Sequence, residues 1–254
     1  MAVGLEGAAE ADRIGVGATH GAFSALNAAE AALELGRWDV VERVTAEVHA
    51  HSNRAVTESF AHNLQALLCN ARGDLVAADE HARRHRELLS DAAGPELRRY
   101  IPELEAELAL ARGRPQDAAR EAAQALELTE RLSDPVAASR AATVAARAEA
   151  ESAELARARR DRTGAKAGAQ RAGAILARAR QRGLDNPAVM ATIEAEVLRA
   201  HGKPDPDAWA AAARACEARG AAWQASYAWW RCAEAAMARS EDRAVAASAQ
   251  RHHA

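Results

Sequence analysis

The stretch that decides the fold is LQALLCNARGDLVAA, at residues 64–78. Its apolar residues recur at three- and four-residue steps, which is the period of an amphipathic helix. Gly73 follows this stripe, and glycine fits the left-handed position just past a helix end. A second apolar stripe comes next, in which Ala78 is small enough for close contact between helices. The stretch therefore predicts two helices joined by a tight turn, which is a helical hairpin.

The same order of stripe, turn and stripe recurs along the chain. Gly36, Gly73 and Gly113 lie 37 and 40 residues apart, a spacing typical of two-helix repeats. Strand-like alternation of apolar and polar residues is nearly absent. A single hairpin cannot bury its apolar face alone, so we expect about six hairpins to stack on one another. The other predicted turns are at Gly202, at residues 160–164 and at residues 240–242.

This pattern predicts an all-α, tetratricopeptide-like, right-handed solenoid over residues 16–254, with residues 1–15 as a flexible N-terminal segment. The composition agrees, because 72 of the 254 residues are alanine, the best helix former. Alanine lets helices approach closely, but it removes little apolar area from water, at about 25 cal/mol per Å². We therefore expect modest stability.

Charge and cysteine content limit the classes of function. The net charge is −3, which does not fit a strongly basic protein that coats nucleic acid. The chain has three cysteines, an odd number that cannot all pair in disulfides, and no two of them have CxxC spacing. Neither a disulfide framework nor a zinc site is therefore predicted. No signal peptide and no charge-free apolar stretch of membrane-spanning length is visible. We expect a cytoplasmic protein that does not bind nucleic acid or membranes directly.

Several groups could carry chemistry, and each has a simpler interpretation. His81 and His85 share a helix face, but the arginines between them oppose a cation, so a solvated face is favoured. The basic runs at 83–86 and 157–162 lack the interleaved aromatic residues of a nucleic-acid site. Alternate carboxylates at 103–107 point in different directions on a helix. We predict no catalytic residue, no cofactor and no metal ion.

The aromatic residues are concentrated near the C-terminus. Five of the nine lie between residues 209 and 230. Helical spacing places Trp223, Tyr227 and Trp230 on one face and Trp229 nearly opposite, which is more typical of a helix buried on two sides than of a binding site. The alternative is an anchor for a partner, since Trp, Tyr and Arg dominate interface hot spots. The candidate partner-binding residues are Trp223, Tyr227, Trp229, Trp230 and Arg231.

Three segments resemble the helical-repeat region of large LuxR-type transcriptional regulators. The resemblance covers residues 20 to 238, and the run YAWWRCAEA at 227–235 is its most specific part. It implies a helical array that senses effectors or partner proteins, which such regulators combine with an ATP-binding domain and a helix-turn-helix. No phosphate-binding loop and no helix-turn-helix is found among these residues. The segment with YAWWRCAEA also includes AWAAA at 208–212, and the other two segments are residues 21–39 and residues 105–113.

We therefore expect a non-catalytic module that binds a protein, a peptide or a small effector in a concave groove, and that acts in signal transduction and transcription regulation. Binding would shift the array between two states and pass the change to other domains. The alternative is a free-standing tetratricopeptide-like scaffold that self-associates through its open ends.

Overall fold

The protein is described here by a computed structural model that covers residues 1–51, 54–89 and 94–252, without the side chains of residues 18–19, 95–96 and 241–252. Helices account for nearly all of this described part, and it contains no strand. The all-α prediction is therefore confirmed.

The chain divides into two compact units. Unit 1 is Met1–Ala148 and unit 2 is Glu149–Ala254. Helix α9, Pro135–Ala158, contributes residues to both. A single repeat domain over residues 16–254 stays a prediction. The helices of unit 1 before α9 are α1 (Ala2–Arg13), α2 (Ala22–Glu34), α3 (Trp38–His51), α4 (Ala55–Ala71), α5 (Leu75–Leu88), α6 (Pro95–Arg98), α7 (Tyr100–Ala111) and α8 (Pro115–Arg131), with a π-helical turn at Gly17–Gly21. Those of unit 2 after α9 are α10 (Arg162–Gln181), α11 (Pro187–Ala200), α12 (Pro206–Ala218) and α13 (Ala222–His252).

The glycine turns lie between consecutive helices as predicted. At the turn between α4 and α5, Gly73 has φ +80°. The amide of Gly73 donates to Asn70 O at 3.0 Å and that of Asp74 to Cys69 O at 2.9 Å, which closes the end of α4. The Asp74 carboxylate then accepts from Ala77 N at 3.0 Å and caps α5. The turns at Gly36, Gly113 and Gly202 also have positive φ.

Two of the predicted turns differ from this pattern. Between α9 and α10 the left-handed residue is Arg160, with φ +60°. Gly164 instead lies in the first turn of α10, where a Cβ atom would meet Asp161 Oδ2 at 2.3 Å. The turn predicted at residues 240–242 is wrong, because α13 continues through them to His252. Residues 240–242 contain neither the glycine nor the proline that marks most of the other predicted turns.

The core of unit 1 is built from branched and aromatic side chains. Leu26, Val41 and Leu64 are completely buried there, and Phe60 packs beside them. The α1 helix lies in the segment that we expected to be flexible. Its backbone approaches α2 closely, and the Ser24 hydroxyl donates to Gly4 O at 2.9 Å.

The core of unit 2 is built mainly from alanine. One cluster contains Ala150, Ala153, Ala169, Ala172 and Ala200, and a second surrounds Trp209, which is completely buried. Gly168 permits the close contact of α9 and α10, because a Cβ atom there would lie 3.1 Å from Ala153 Cβ. Trp209 therefore supplies much of the large apolar surface in this unit.

Candidate binding surface on helix α13

Helix α13 presents two different faces in its described part. Ala225, Ala228 and Ala235 are buried, so that the helix packs closely on α12. Tyr227 lies at the border of this face, and its ring meets that of Trp209 edge-on, with centroids 5.8 Å apart. The position of Tyr227 is therefore fixed in part by Trp209, the largest completely buried side chain of unit 2.

Polar contacts hold Tyr227 and Arg231 further. The Tyr227 hydroxyl donates to Glu196 Oε1 at 2.6 Å and accepts from Arg231 Nε at 3.1 Å. The Arg231 guanidinium also forms ion pairs with Glu151 at 3.2 Å and with Glu234 at 2.9 Å. Arg231 is only 9% exposed. The charge of Arg231 is therefore used within unit 2, and its role as a partner-binding residue stays a prediction.

A second arginine continues this network into the core. Arg199 Nε donates to Glu196 Oε2 at 2.7 Å, and Arg199 Nη1 donates to Glu154 Oε2 at 2.5 Å. Glu196 is completely buried and Arg199 nearly so. Burial acts to lower the pKa of Arg199, but the carboxylate of Glu196, the hydroxyl of Tyr227 and the carboxylate of Glu154 outweigh it and raise that pKa. The arginine therefore stays charged between its acidic neighbours.

The three tryptophans of α13 lie at the surface. Their exposed fractions are 46% for Trp223, 39% for Trp229 and 51% for Trp230. The spacing of the aromatic residues in the sequence favoured a buried role for them. In the structure Trp209 and Tyr227 pack in the core of unit 2, while the indoles of Trp223, Trp229 and Trp230 remain accessible. Trp229 Nε1 donates to Glu217 Oε1 at 2.7 Å. The charge of Arg231 lies 4.3 Å from the centre of the Trp230 ring, a favourable cation–π distance.

This arrangement suits recognition of another molecule. Large aromatic side chains that are accessible, yet already held in place, lose little conformational entropy when a partner covers them. We name the exposed part of α13 that carries Trp223, Trp229 and Trp230 the indole surface, in which Trp229 lies on a different side of the helix from the other two. Of the predicted partner-binding residues, Tyr227 and Arg231 support it from beneath.

The histidines of unit 1 are arranged differently from the sequence interpretation. His85 is buried, and its Nδ1 lies 2.8 Å from Ser59 Oγ, so a solvated face was wrong for this residue. His81 Nδ1 instead lies 2.8 Å from His62 Nδ1, and the ring of His62 stacks on that of His49. Burial lowers the pKa of both His62 and His85 to about 4. This stack joins α3, α4 and α5, and no spacing in the sequence pointed to it.

Other candidate groups have partners within the fold. Arg83 pairs with Glu80 at 2.5 Å and with Glu87, and Arg86 pairs with Glu105, so the first basic run is neutralised. Glu103 faces Arg140 at 2.9 Å, away from Glu105. Burial raises the pKa of Glu103, although Arg140 and Arg99 oppose the shift. Within residues 1–51, 54–89 and 94–252, no group of three or more acidic, histidine or cysteine side chains is arranged to hold a metal ion.

Comparison with other proteins gives no match among family models, curated proteins or solved structures. In the described part of the chain, no helix combines the length and the apolar character needed to cross a bilayer.

Proposed function

We propose that the chain is a non-catalytic binding module of tetratricopeptide-like helical hairpins, similar to the sensor region of large LuxR-type transcriptional regulators. Two lines support the proposal. The first is that an apolar stripe, a glycine turn and a second apolar stripe recur at Gly36, Gly73, Gly113 and Gly202. The second is that YAWWRCAEA at 227–235 resembles that family. Hairpin repeats of this kind stack into a right-handed solenoid whose surface takes a peptide, a protein or a small effector.

The observation that carries the proposal is the indole surface. Three tryptophans lie exposed within eight residues of one helix, in a chain with only five. Tryptophan is the residue most enriched at interface hot spots, where its truncation costs roughly 2 kcal/mol or more. The rigid support from Tyr227 and Arg231 presents Trp230 in one orientation. We therefore assign the indole surface to a protein partner, whose apolar side chains would pack against the exposed indoles.

A comparison of variants tests this assignment. Trp230→Ala should lower the recovery of a protein partner in affinity capture at least about 30-fold, the effect of losing 2 kcal/mol. Val76→Ala is the matched control, because it removes an exposed apolar side chain of unit 1. Equal recovery by the wild type and by Trp230→Ala would contradict the assignment.

The oligomeric scaffold remains the alternative, and the same variant separates it. Light scattering of the pure protein over a range of concentrations should show a constant mass. A mass that rises with concentration, and that Trp230→Ala holds constant, would mean that the partner is a second copy of the chain.

The regulator relationship has its own test. Sequencing of the flanking DNA should reveal a frame for an ATP-binding domain upstream and a frame for a helix-turn-helix downstream. Unrelated genes on both sides would contradict the relationship to regulators, while the variant comparison above would still test the binding module.

A further inference from the structure

The turn between α9 and α10 borders a cavity of about 410 Å³. Its lining consists of Arg157, Arg160, Asp161, Arg162 and Ala165. A volume of this size lies within the range of small-molecule sites. Three of the five lining residues are arginines, so the cavity is distinctly basic.

The local charge is unusual for this chain. Residues 157–166 contain five basic residues and one acidic residue, although the whole chain has a net charge of −3. Several exposed arginines elsewhere pair with an acid one helical turn away, as Arg120 does with Asp117 at 2.9 Å. Among the described residues, no acidic side chain pairs with Arg160 or Arg162. These two guanidinium groups therefore have donors available for a ligand.

Arg157 is held in place at the same site. It donates through Nη1 to Ala200 O at 2.7 Å and through Nη2 to Arg199 O at 2.9 Å, at the C-terminal end of α11. A guanidinium has five N–H donors, so three remain after these two bonds. Arg157 thus adds a rigid positive charge at the cavity wall.

The backbone at Arg160 supports the same conclusion. Its φ of +60° is the left-handed conformation that the turns at Gly36, Gly73, Gly113 and Gly202 give to glycine. A side chain in this conformation is strained, and glycine would relieve the strain. Strained backbone of this kind is concentrated at ligand-binding and active sites in proteins. The turn keeps an arginine side chain here, beside the cavity.

One acid also lines the cavity, but it has a structural task. Asp161 Oδ1 accepts from Gly164 N at 2.9 Å and caps α10. The carboxylate is therefore turned towards the helix amides, which offsets part of the basic charge but leaves the arginine donors available.

From this geometry we infer that the cavity between Arg157, Arg160 and Arg162 is a binding site for a compact phosphate-bearing molecule, and that it is separate from the indole surface. Guanidinium forks match the oxygens of a phosphate group, with charge-assisted hydrogen bonds. A nucleic-acid polymer fits the site less well, because the basic charge is confined to one turn and no aromatic ring lines the cavity.

The test is calorimetric titration of the full chain with pyrophosphate and, separately, with inorganic phosphate. The wild type should bind pyrophosphate, and more weakly at higher salt because screening reduces the attraction. The double variant Arg160→Gly/Arg162→Ala should bind about tenfold more weakly or worse, since it loses two charged donors. It should also keep its fold, because glycine suits the turn.

Matched controls make the result specific. Arg178→Ala/Arg180→Ala removes two exposed positive charges from the same helix and should bind pyrophosphate like the wild type. Trp230→Ala should also bind pyrophosphate like the wild type. The experiment therefore tests the phosphate site independently of the indole surface. Equal affinity in both double variants would overturn the proposal, as would binding to an RNA oligonucleotide without binding to pyrophosphate.

Vesicles distinguish two sources of the phosphate group. Phosphatidylcholine vesicles with phosphatidic acid should bind no better than those without it, if the ligand is a free molecule. The wild type and the control variants could instead sediment with phosphatidic-acid vesicles, while the Arg160→Gly/Arg162→Ala variant does not. That result would support the phosphate site and assign it to a lipid headgroup.

Discussion

Unit 1 fills the space between its helices with leucine, valine and phenylalanine beside alanine, whereas unit 2 relies mainly on alanine, with Trp209 and Ile193 as its large, completely buried apolar side chains. Both units hold charge inside, most completely in unit 2. Glu196 and Arg199 of unit 2 are almost completely buried, whereas the side chains of Arg99 and Glu103 in unit 1 stay about one tenth exposed. An alanine interface brings helices close together but buries little apolar area. Tyrosine, glutamate and arginine side chains then add specific contacts between those helices.

The largest effect should come from breaking the buried network of unit 2. Arg199→Ala leaves Glu196 buried without its main cationic partner, which should cost roughly 3–5 kcal/mol of unfolding free energy. Urea unfolding measures this cost. Arg180→Ala removes an arginine that pairs with Glu194 at the surface of the same unit and should cost less than about 1 kcal/mol. Equal losses in the two variants would show that the buried pair has no special role.

Unit 1 should respond most strongly to a cavity. Leu64→Ala removes a completely buried side chain from the apolar cluster of α2, α3 and α4 and should cost roughly 2–5 kcal/mol. Hydrogen exchange should show the loss in the amides of α3 and α4. Exposed Val76→Ala is the control and should leave these amides unchanged.

Acid should weaken unit 1 through its histidines. The folded protein holds the pKa of His85 near 4, whereas the unfolded chain has the ordinary value of 6.5. Unfolding therefore takes up a proton below pH 6.5, so the stability is complete above that pH and falls as the pH drops towards 4. The shift at His85 is worth on the order of 3 kcal/mol.

Urea midpoints at several pH values check this expectation. His85→Asn should reduce the pH dependence between 6.5 and 4, because the substituted side chain takes up no proton. A midpoint that does not move across this range in the wild type would contradict the role of His85.

The smallest changes in stability should come from the left-handed residues of the hairpin turns, which are glycine in most turns and Arg160 in one. Gly73→Ala places a side chain at φ +80° and should lower the stability by about 1 kcal/mol. Arg160→Gly removes a side chain from a similar conformation and should raise it by up to about 1 kcal/mol. Thermal unfolding of both variants tests the pair, and opposite signs are the expected result.

Local signals predicted most of the helices and turns. Glycine after an apolar stripe located the turns at Gly36, Gly73, Gly113 and Gly202, because left-handed backbone is a local requirement. The turn at Gly220 was missed, since no repeat spacing marked it. The turn predicted at 240–242 had no glycine, and the helix runs through it.

Tertiary features could not be predicted in the same way. Periodicity placed Trp223, Tyr227 and Trp230 on one face, but it could not say which side chains a neighbouring helix would cover. The division after Ala148 and the histidine stack likewise depend on which helices meet. The network of Glu196 and Arg199 joins α9, α11 and α13, and its members lie up to 80 residues apart.

The measurement that tests the central claim most directly compares two sets of tryptophan variants by urea unfolding. If the indole surface serves a partner while Trp209 holds unit 2 together, each of the single variants Trp223→Ala, Trp229→Ala and Trp230→Ala should lose clearly less stability than Trp209→Ala, because about half of each exposed indole is already in contact with water. Trp209→Ala should lose roughly 3–5 kcal/mol. Single variants of the exposed tryptophans that are as unstable as Trp209→Ala would show that these indoles belong to the fold, and would contradict their assignment to a partner.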